Sequence, residues 1–495
     1  MNYKKYLNLK FLFALTILAT AFFYMFIPRN ALIEKRLAHA DESEQASTYL
    51  KLKLENEYNY NPHGPHGPIL YYYTNLFSDI FDIEDTIENL RKALFPILIF
   101  SCLALLLISI KSSFLTGSLA VLFYGLSVIS IIYTSYFVHE SFFALFTFLF
   151  LHTLYFCVQK PSWKNFVLLG FFIGLMQSTK ETSVIVFCAT LFPFVLLEVK
   201  SKFSVSKNSK YIFATAISAL LVYVAFYSSF GKNWNGVIDG FLSYTHFAEK
   251  SSSVAHTKEF FYYFKLFLPF KHGGIYFGEF ALFIATIIGI AFSFINKNSY
   301  FRFLSIFCMF YITLLSLIDY KTPWLLLSLV LPMCAVSGYG LASLFEKKNF
   351  WSKILFFVLL FGTIYWQSKQ IFLIKRYAND PRNPYIYVHT VGDYKNFLLR
   401  MEKAHQIKGD DLKTSFYMRH SPWPSPWYLR QIKGTTYHNR PNKKIKDSHI
   451  IITDNTMQDN LNFDKSLYQE EFYGLRENLI LTVYIKKNLF EEIIK

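Results

Sequence analysis

Four short polar groups stand at the ends of apolar stretches and carry the residue types that proton transfer and phosphate chemistry need: Asp41-Glu42, His139-Glu140, Lys180-Glu181 and Asp319-Tyr320-Lys321. A carboxylate near its ordinary pKa can take a proton from a hydroxyl. A lysine can offset charge growing on an anionic leaving group, most strongly where water is excluded. Each group taken singly reads more readily as charge at a helix end meeting water. Lys180 and Glu181 shift that balance, because they interrupt an otherwise apolar stretch from Phe166 to Leu196 with almost no loop to hold them in water. Charge so placed is expected to face a cavity.

A second motif, Asn61-Pro62-His63-Gly64-Pro65-His66-Gly67-Pro68, brings two imidazoles three residues apart. His63 and His66 could share one metal, but Gly and Pro on either side favour a rigid turn, and no third ligand lies nearby in sequence. The Asp41-Glu42 pair could alternatively hold a divalent ion, although it lacks a DxD spacing. No cofactor is expected, and no metal site is assigned. The five cysteines, Cys102, Cys157, Cys188, Cys308 and Cys334, all fall in apolar segments without a CxxC pair, which argues against a disulfide framework or a thiolate metal site.

The elements that position these residues are membrane helices. Hydrophobic residues make up 53% of the 495 positions and charged residues only 17%, below the quarter or so usual for water-soluble chains. The net charge of +16 is spread over short loops instead of gathered on one polar face, which argues against nucleic acid. Apolar runs long enough to cross a bilayer lie near 10–28, 94–110, 113–135, 138–157, 165–180, 182–198, 211–230, 276–296, 301–318, 323–343 and 353–371. About eleven transmembrane helices are therefore expected. The first follows Lys4, Lys5 and Lys10; the Ala38-His39-Ala40 triplet lies too far beyond it for a usual signal-peptide cleavage site, so an uncleaved helix is expected.

With the N-terminus in the cytoplasm, the cytoplasmic turns carry Lys111, Lys160, Lys164, Lys200, Lys202, Lys207, Lys210, Lys297, Arg302, Lys347, Lys348 and Lys353, the distribution that the positive-inside rule requires. All four polar groups then fall on the opposite face. Loops 29–92 and 231–275 lie there too. Helical spacing predicts surface helices over Asp79 to Lys92 and between Lys258 and Phe270. Tyr71-Tyr72-Tyr73 reads as an interfacial anchor in preference to a sugar platform. Trp423, Trp427 and Tyr428 suit either sugar stacking or a packed corner.

Composition changes after Arg376. Residues 1–375 read as a polytopic membrane domain, and residues 376–495 as a small extracytoplasmic α/β domain with strands over Tyr385 to His389, His449 to Thr453 and Leu479 to Ile485 and a helix over Asp393 to Gln406. A multi-pass protein of the cell membrane follows. Carboxylates and lysines around a membrane cavity suit a reaction that accepts a proton and stabilises an anionic leaving group, such as transfer of a sugar from a lipid phosphate.

The strings HADESEQASTYL, YNPHGPHGPILYYYTNLF, SYFVHESFFALFTFLFL, GLMQSTKETSVIVF, DYKTPWLLL, RNPYIYVHT and SPWPSPWYLR together resemble the flippase-activity-associated proteins of archaeal N-glycosylation. That family is similar to the GT-C glycosyltransferases, which include the protein O-mannosyltransferases and the lipid A aminoarabinose transferase. The resemblance covers nearly the whole chain. It implies a GT-C-type all-α polytopic domain and an enzyme that moves a hexose or pentose, with inversion, from a polyprenyl-phosphate donor in the bilayer to an extracytoplasmic glycan, lipid or protein acceptor. By the same resemblance Asp41 matches the general base and Glu42 its acidic neighbour. Glu140, with His139, matches the second acidic motif, and Lys180-Glu181 matches a Lys-Glu corner. Lys180 and Lys321 are candidates for the phosphate, and His63, His66, His139, Glu181 and Tyr320 are further candidates for substrate contact. The rival reading is a non-catalytic or transport-associated protein that binds lipid-linked sugars or helps to flip them.

Overall fold

A computed structural model describes residues 3–62, 64, 66–197, 208–251, 257–441 and 443–495. His63, Lys200, Lys202 and Lys207 lie outside the described residues. The chain forms two compact units: Met1–Glu34 with Thr48–Arg376, and Lys35–Ser47 with Tyr377–Lys495.

The larger unit is helical. From the N-terminus run α1 (Tyr3–Lys35), α2 (Ala40–Glu55, which begins in the smaller unit), α3 (Ile69–Phe81), α4 (Ile87–Lys92), α5 (Phe95–Ser109), α6 (Phe114–Leu126) and α7 (Val128–Tyr133). There follow α8 (Glu140–Gln159), α9 (Trp163–Gln177), α10 (Ser183–Leu196), α11 (Ser209–Tyr227), α12 (Asn235–Ser251) and α13 (Tyr262–Phe267). A hairpin of β1 (Phe270–His272) and β2 (Ile275–Phe277) then leads to α14 (Phe280–Ile295), α15 (Ser299–Leu317), α16 (Leu327–Glu346) and α17 (Phe350–Arg376).

Each of the eleven apolar runs contains one of these helices, except 113–135, which contains two. Among the described residues seven helical stretches have the length and composition to cross a bilayer by themselves, and α6, α10 and α14 are shorter and apolar. The protein is a multi-pass membrane protein. Helix α16 is its axis, with 94% of its apolar window buried, whereas α11 and α17 bury only 11% and 22% of theirs and so present side chains to lipid. Since lipid is as apolar as leucine, close packing holds such helices together. A Cβ on Gly289 of α14 would lie 2.1 Å from the carbonyl oxygen of Val336 on α16, and one on Gly340 2.5 Å from Gly289 itself. Only glycine permits that approach.

Local chemistry redraws several expected boundaries. The helix expected over Asp79 to Lys92 is broken, because Asp82 adopts a left-handed φ of 47° and the hydroxyl of Thr86 caps a new helix by accepting from Asn89 N. Tyr71 to Tyr73 belong to α3 and are tied inward: Tyr71 is buried, Tyr72 Oη meets Ser229 Oγ at 2.6 Å, and Tyr73 Oη donates to Ala93 O at 2.9 Å. Tyr71 thus packs in the core, and the hydroxyls of Tyr72 and Tyr73 are engaged by the protein. Between Lys258 and Phe270 only the six residues of α13 are helical. The run 113–135 divides at Ser127, where the buried Glu279 carboxylate accepts from Ser127 Oγ and Ile129 N, both at 2.7 Å, and caps α7.

The smaller unit is an α/β layer. Its elements are α18 (Tyr394–Lys408), β3 (Thr414–Tyr417), α19 (Ser425–Tyr428), β4 (Thr435–His438), β5 (Ile450–Asp454), β6 (Tyr468–Arg476), β7 (Leu479–Lys486) and α20 (Lys487–Ile494). The sheet order is β4-β3-β5-β7-β6, with β4, β3 and β5 parallel and the other pairings antiparallel. Successive side chains of a strand point to opposite faces. Ile450 and Ile452 therefore pack with Phe397, Met401 and Leu489 of α18 and α20, while Ile451 packs with Tyr417, Met457 and Tyr484 on the other face. Tyr385 to His389 forms no strand, because Val388 takes a φ of 52° that an extended chain cannot hold. The segment 35–47, expected in the first loop of the membrane domain, packs instead in this unit: Ala38 N donates to Tyr428 Oη at 2.8 Å, and Thr390 Oγ1 donates to Ala38 O at 2.7 Å.

Candidate active site

In the membrane unit three of the sequence motifs meet. Helix α9 ends at Gln177 and α10 begins at Ser183, so Ser178 to Thr182 form a tight corner in which Lys180 N returns to Met176 O at 2.9 Å and Ser183 N to Lys180 O at 3.2 Å. The His-Gly-Pro turn docks on that corner through Gly67 N to Thr179 O at 3.1 Å and Ile69 N to Ser178 O at 3.3 Å. A Cβ on Gly67 would lie 2.2 Å from Ser178 O, which explains the glycine. His139 and Glu140 complete the cluster from the start of α8.

Four side chains form the polar core. The Lys180 ammonium donates to Glu140 Oε1 in an ion pair that is almost wholly buried, with 2% and 5% of the residues exposed. Glu181 is held by His66 Nδ1 at 2.8 Å and Tyr60 Oη at 3.2 Å. Burial pushes the Glu181 carboxyl up, but the His66 imidazole, the backbone and Lys180 outweigh it and hold the group at about 2. His139 Nε2 donates to Gly67 O at 2.7 Å, and its ring meets His66 and Tyr71 edge-on with centroids 5.6 and 5.5 Å apart. The His139 side chain is wholly buried.

The His-Gly-Pro turn, the Lys-Glu corner and the His-Glu helix start are thus one constellation. His66 keeps its ring a third exposed, whereas Lys180 is sequestered by Glu140. His139 Nδ1, Ser141 Oγ, Ser178 Oγ and Thr182 Oγ1 are buried with no hydrogen-bond partner among the described residues, a concentration of orphaned polar atoms that natural interiors avoid outside functional sites. Tyr60 was not foreseeable from a motif. Lys321 and Tyr320 take a different place: Lys321 Nζ donates to Lys258 O at 2.9 Å, and Tyr320 bridges to Thr257. Lys321 thereby holds the chain at Lys258.

The Glu181 pair makes stability depend on acid. A carboxyl lowered from 4.5 to about 2 contributes fully above 4.5 and loses its contribution as pH falls from there through about 2. Thermal unfolding of detergent-solubilised protein followed across that window should show the loss. Glu181→Gln should unfold at a lower temperature near neutrality and show a flatter acid limb.

In the smaller unit the two acidic residues of the first motif have different surroundings. Both occupy the first turn of α2, where the helix dipole favours negative charge. Glu42 is wholly buried: Oε1 accepts from Arg36 at 3.3 Å, and Oε2 accepts from His39 N at 2.9 Å in the manner of a capping box. Asp41 keeps 49% of its side chain exposed. Its backbone N donates to His39 Nδ1 at 3.0 Å, and His39 Nε2 in turn donates to Tyr387 O at 2.9 Å, which holds the ring in place. Arg476 lies within electrostatic reach of Asp41, a neighbour more than 400 positions away that sequence spacing gives no means of finding. Trp427 is buried under the Arg430 guanidinium, 4.0 Å from the ring centroid, and Tyr428 holds Ala38, so both belong to a packed corner. Among the described residues no group of three or more His, Cys, Asp or Glu is arranged to hold a metal ion.

Residues 65–227 match the family model of dolichyl-phosphate-mannose-protein mannosyltransferase. The fold is similar to that of two solved proteins. The apo structure of ArnT from Cupriavidus metallidurans aligns with a TM-score of 0.65 at 11% identity, covering 96% of this chain and 98% of that one. The same protein bound to undecaprenyl phosphate gives 0.61 at 10% identity with the same coverage. The archaeal oligosaccharyltransferase AglB from Archaeoglobus fulgidus, in complex with an inhibitory peptide and a dolichol-phosphate, gives 0.54 at 12% identity over 98% of this chain and 77% of that one. A search of curated protein sequences gives no significant match.

Proposed function

We propose, on the premise that this chain has the membrane fold of the GT-C glycosyltransferases, that it moves a sugar from a polyprenyl-phosphate donor to an extracytoplasmic acceptor with inversion at the anomeric carbon. The carrying observation is the division within Asp41-Glu42, since Glu42 is buried and consumed by Arg36 and the backbone of His39 while Asp41 keeps half its carboxylate accessible. Asp41 is the general base. It takes the proton of the acceptor hydroxyl as that oxygen bonds to the anomeric carbon; the bond from that carbon to the phosphate oxygen breaks, and polyprenyl phosphate leaves as the anion. Glu42 positions the base.

In the membrane unit His66, backed by Glu181, is the group offered to a phosphate, and Glu140 with Lys180 sets the charge around it. His63, His139, Lys321 and Tyr320 are candidates for contact with the donor. A lipid phosphate accompanies the fold in both ArnT and AglB, which supports the donor class. The acceptor is a glycan, lipid or protein. The cell membrane with the N-terminus cytoplasmic and the smaller unit outside is the orientation that the loop lysines support. Purified protein in nanodiscs, given a polyprenyl-phosphate sugar and an envelope acceptor fraction, should release polyprenyl phosphate.

A further inference from the structure

At the carboxyl end of the C-terminal sheet a histidine and a buried aspartate form a pair that the transfer chemistry does not use. β3 and β5 are parallel neighbours, yet the chain leaving β3 runs through α19 to β4 on one side, while the chain leaving β5 runs to β6 and β7 on the other. The loops part at that point, and in open α/β sheets ligands bind in the gap so formed beyond the strand ends. Asp454, the last residue of β5, is fully buried there.

Every acceptor position of Asp454 is directed inward. Oδ1 accepts from Thr456 N at 3.0 Å and from Thr456 Oγ1 at 2.5 Å; Oδ2 accepts from His420 N at 3.3 Å and from His420 Nδ1 at 2.9 Å. The side chain of His420 is nevertheless 51% exposed, and no hydrogen bond among the described residues engages Nε2. A pair that served only to satisfy the aspartate would have no need to keep the ring in solvent. Arg419 beside it is exposed, as is Arg440, two residues beyond His438, which registers with Tyr417 at the end of β3. Neither 417–420 nor 437–441 contains a carboxylate. Trp423, partly exposed on the loop leaving β3, adds an aromatic surface of the kind on which a sugar ring packs.

We infer that this gap binds an anionic saccharide, a phosphorylated or uronate sugar. His420, its Nδ1–H donating to Asp454, donates from Nε2 to the oxyanion as the imidazolium that the bound anion favours, and Arg419 and Arg440 flank it. The inference stands apart from the transfer reading, because binding is measured with no lipid donor present. Full-length protein in nanodiscs would be titrated calorimetrically with glucose 1-phosphate, glucuronate, glucose and inorganic phosphate. Glucose 1-phosphate and glucuronate should bind, glucose should not, and inorganic phosphate should bind more weakly than the sugar phosphate. His420→Ala and, with the imidazole intact, Arg440→Gln should each weaken glucose 1-phosphate binding about tenfold or more, the effect of removing one charge-assisted hydrogen bond or ion pair. Unchanged unfolding temperatures would show that both variants fold. Failure of both anionic sugars to bind, equal binding of glucose, equal binding of inorganic phosphate, or unchanged affinity in both variants would overturn the inference.

Discussion

Asp41→Asn is expected to lower the turnover of the proposed sugar transfer by about 10³-fold, within the range that a positioned general base contributes. Asparagine keeps the shape of the side chain and the backbone bond from residue 41 to His39 Nδ1, but it cannot take up the acceptor proton. Half-exposed and outside the packed core, the site should tolerate the change with an effect on stability of about 0.5 kcal/mol or less. The informative partner is Glu42→Gln. There the buried Arg36 guanidinium loses its counter-charge, so stability falls as well as rate. Rates from purified protein in nanodiscs, set beside thermal unfolding of the same samples, separate the two. A variant at Asp41 with full turnover would remove it as the base.

Lys180→Met is expected to be among the most destabilising single changes in the membrane unit. It strands the Glu140 carboxylate, which is only 5% exposed, and breaking a buried pair from one side typically costs about 3–5 kcal/mol. Glu140→Gln strands the ammonium in the same way. The double variant Glu140→Gln/Lys180→Met should recover most of the stability lost by either single change, because no charge is then left without a partner. Thermal unfolding of the four proteins in one detergent gives the coupling directly. If the double variant loses the sum of the two single losses, the groups are not acting as a pair.

The sequence was most legible where one physical rule dominates. Apolar run length located a helix in each of the eleven runs, seven of them, among the described residues, in helical stretches long and apolar enough to cross a bilayer, and β-branched runs located β5 and β7. Boundaries were hidden where a single residue overrides the pattern: Asp82 turning left-handed inside an amphipathic stretch, Ser127 dividing an apolar run, and Val388 at positive φ in a segment rich in tyrosine. For the site, spacing singled out His66, His139, Glu140, Lys180 and Glu181 but could not say which of them pair. Lys180 looked available for a phosphate, and its bond to Glu140 is visible only when α8 and α9 are packed. Arg36, His39 and Arg476 around the first acidic motif, and Tyr60 on Glu181, arise from tertiary contacts that leave no periodic trace.

The stereochemistry of the transferred sugar tests the account most directly. Purified protein given a β-linked polyprenyl-phosphate sugar, with the product read by the anomeric proton couplings in nuclear magnetic resonance, should yield α-linked product and free polyprenyl phosphate. Retained β configuration would mean a covalent carboxylate intermediate in place of base catalysis by Asp41, and a donor left intact would contradict the transfer itself.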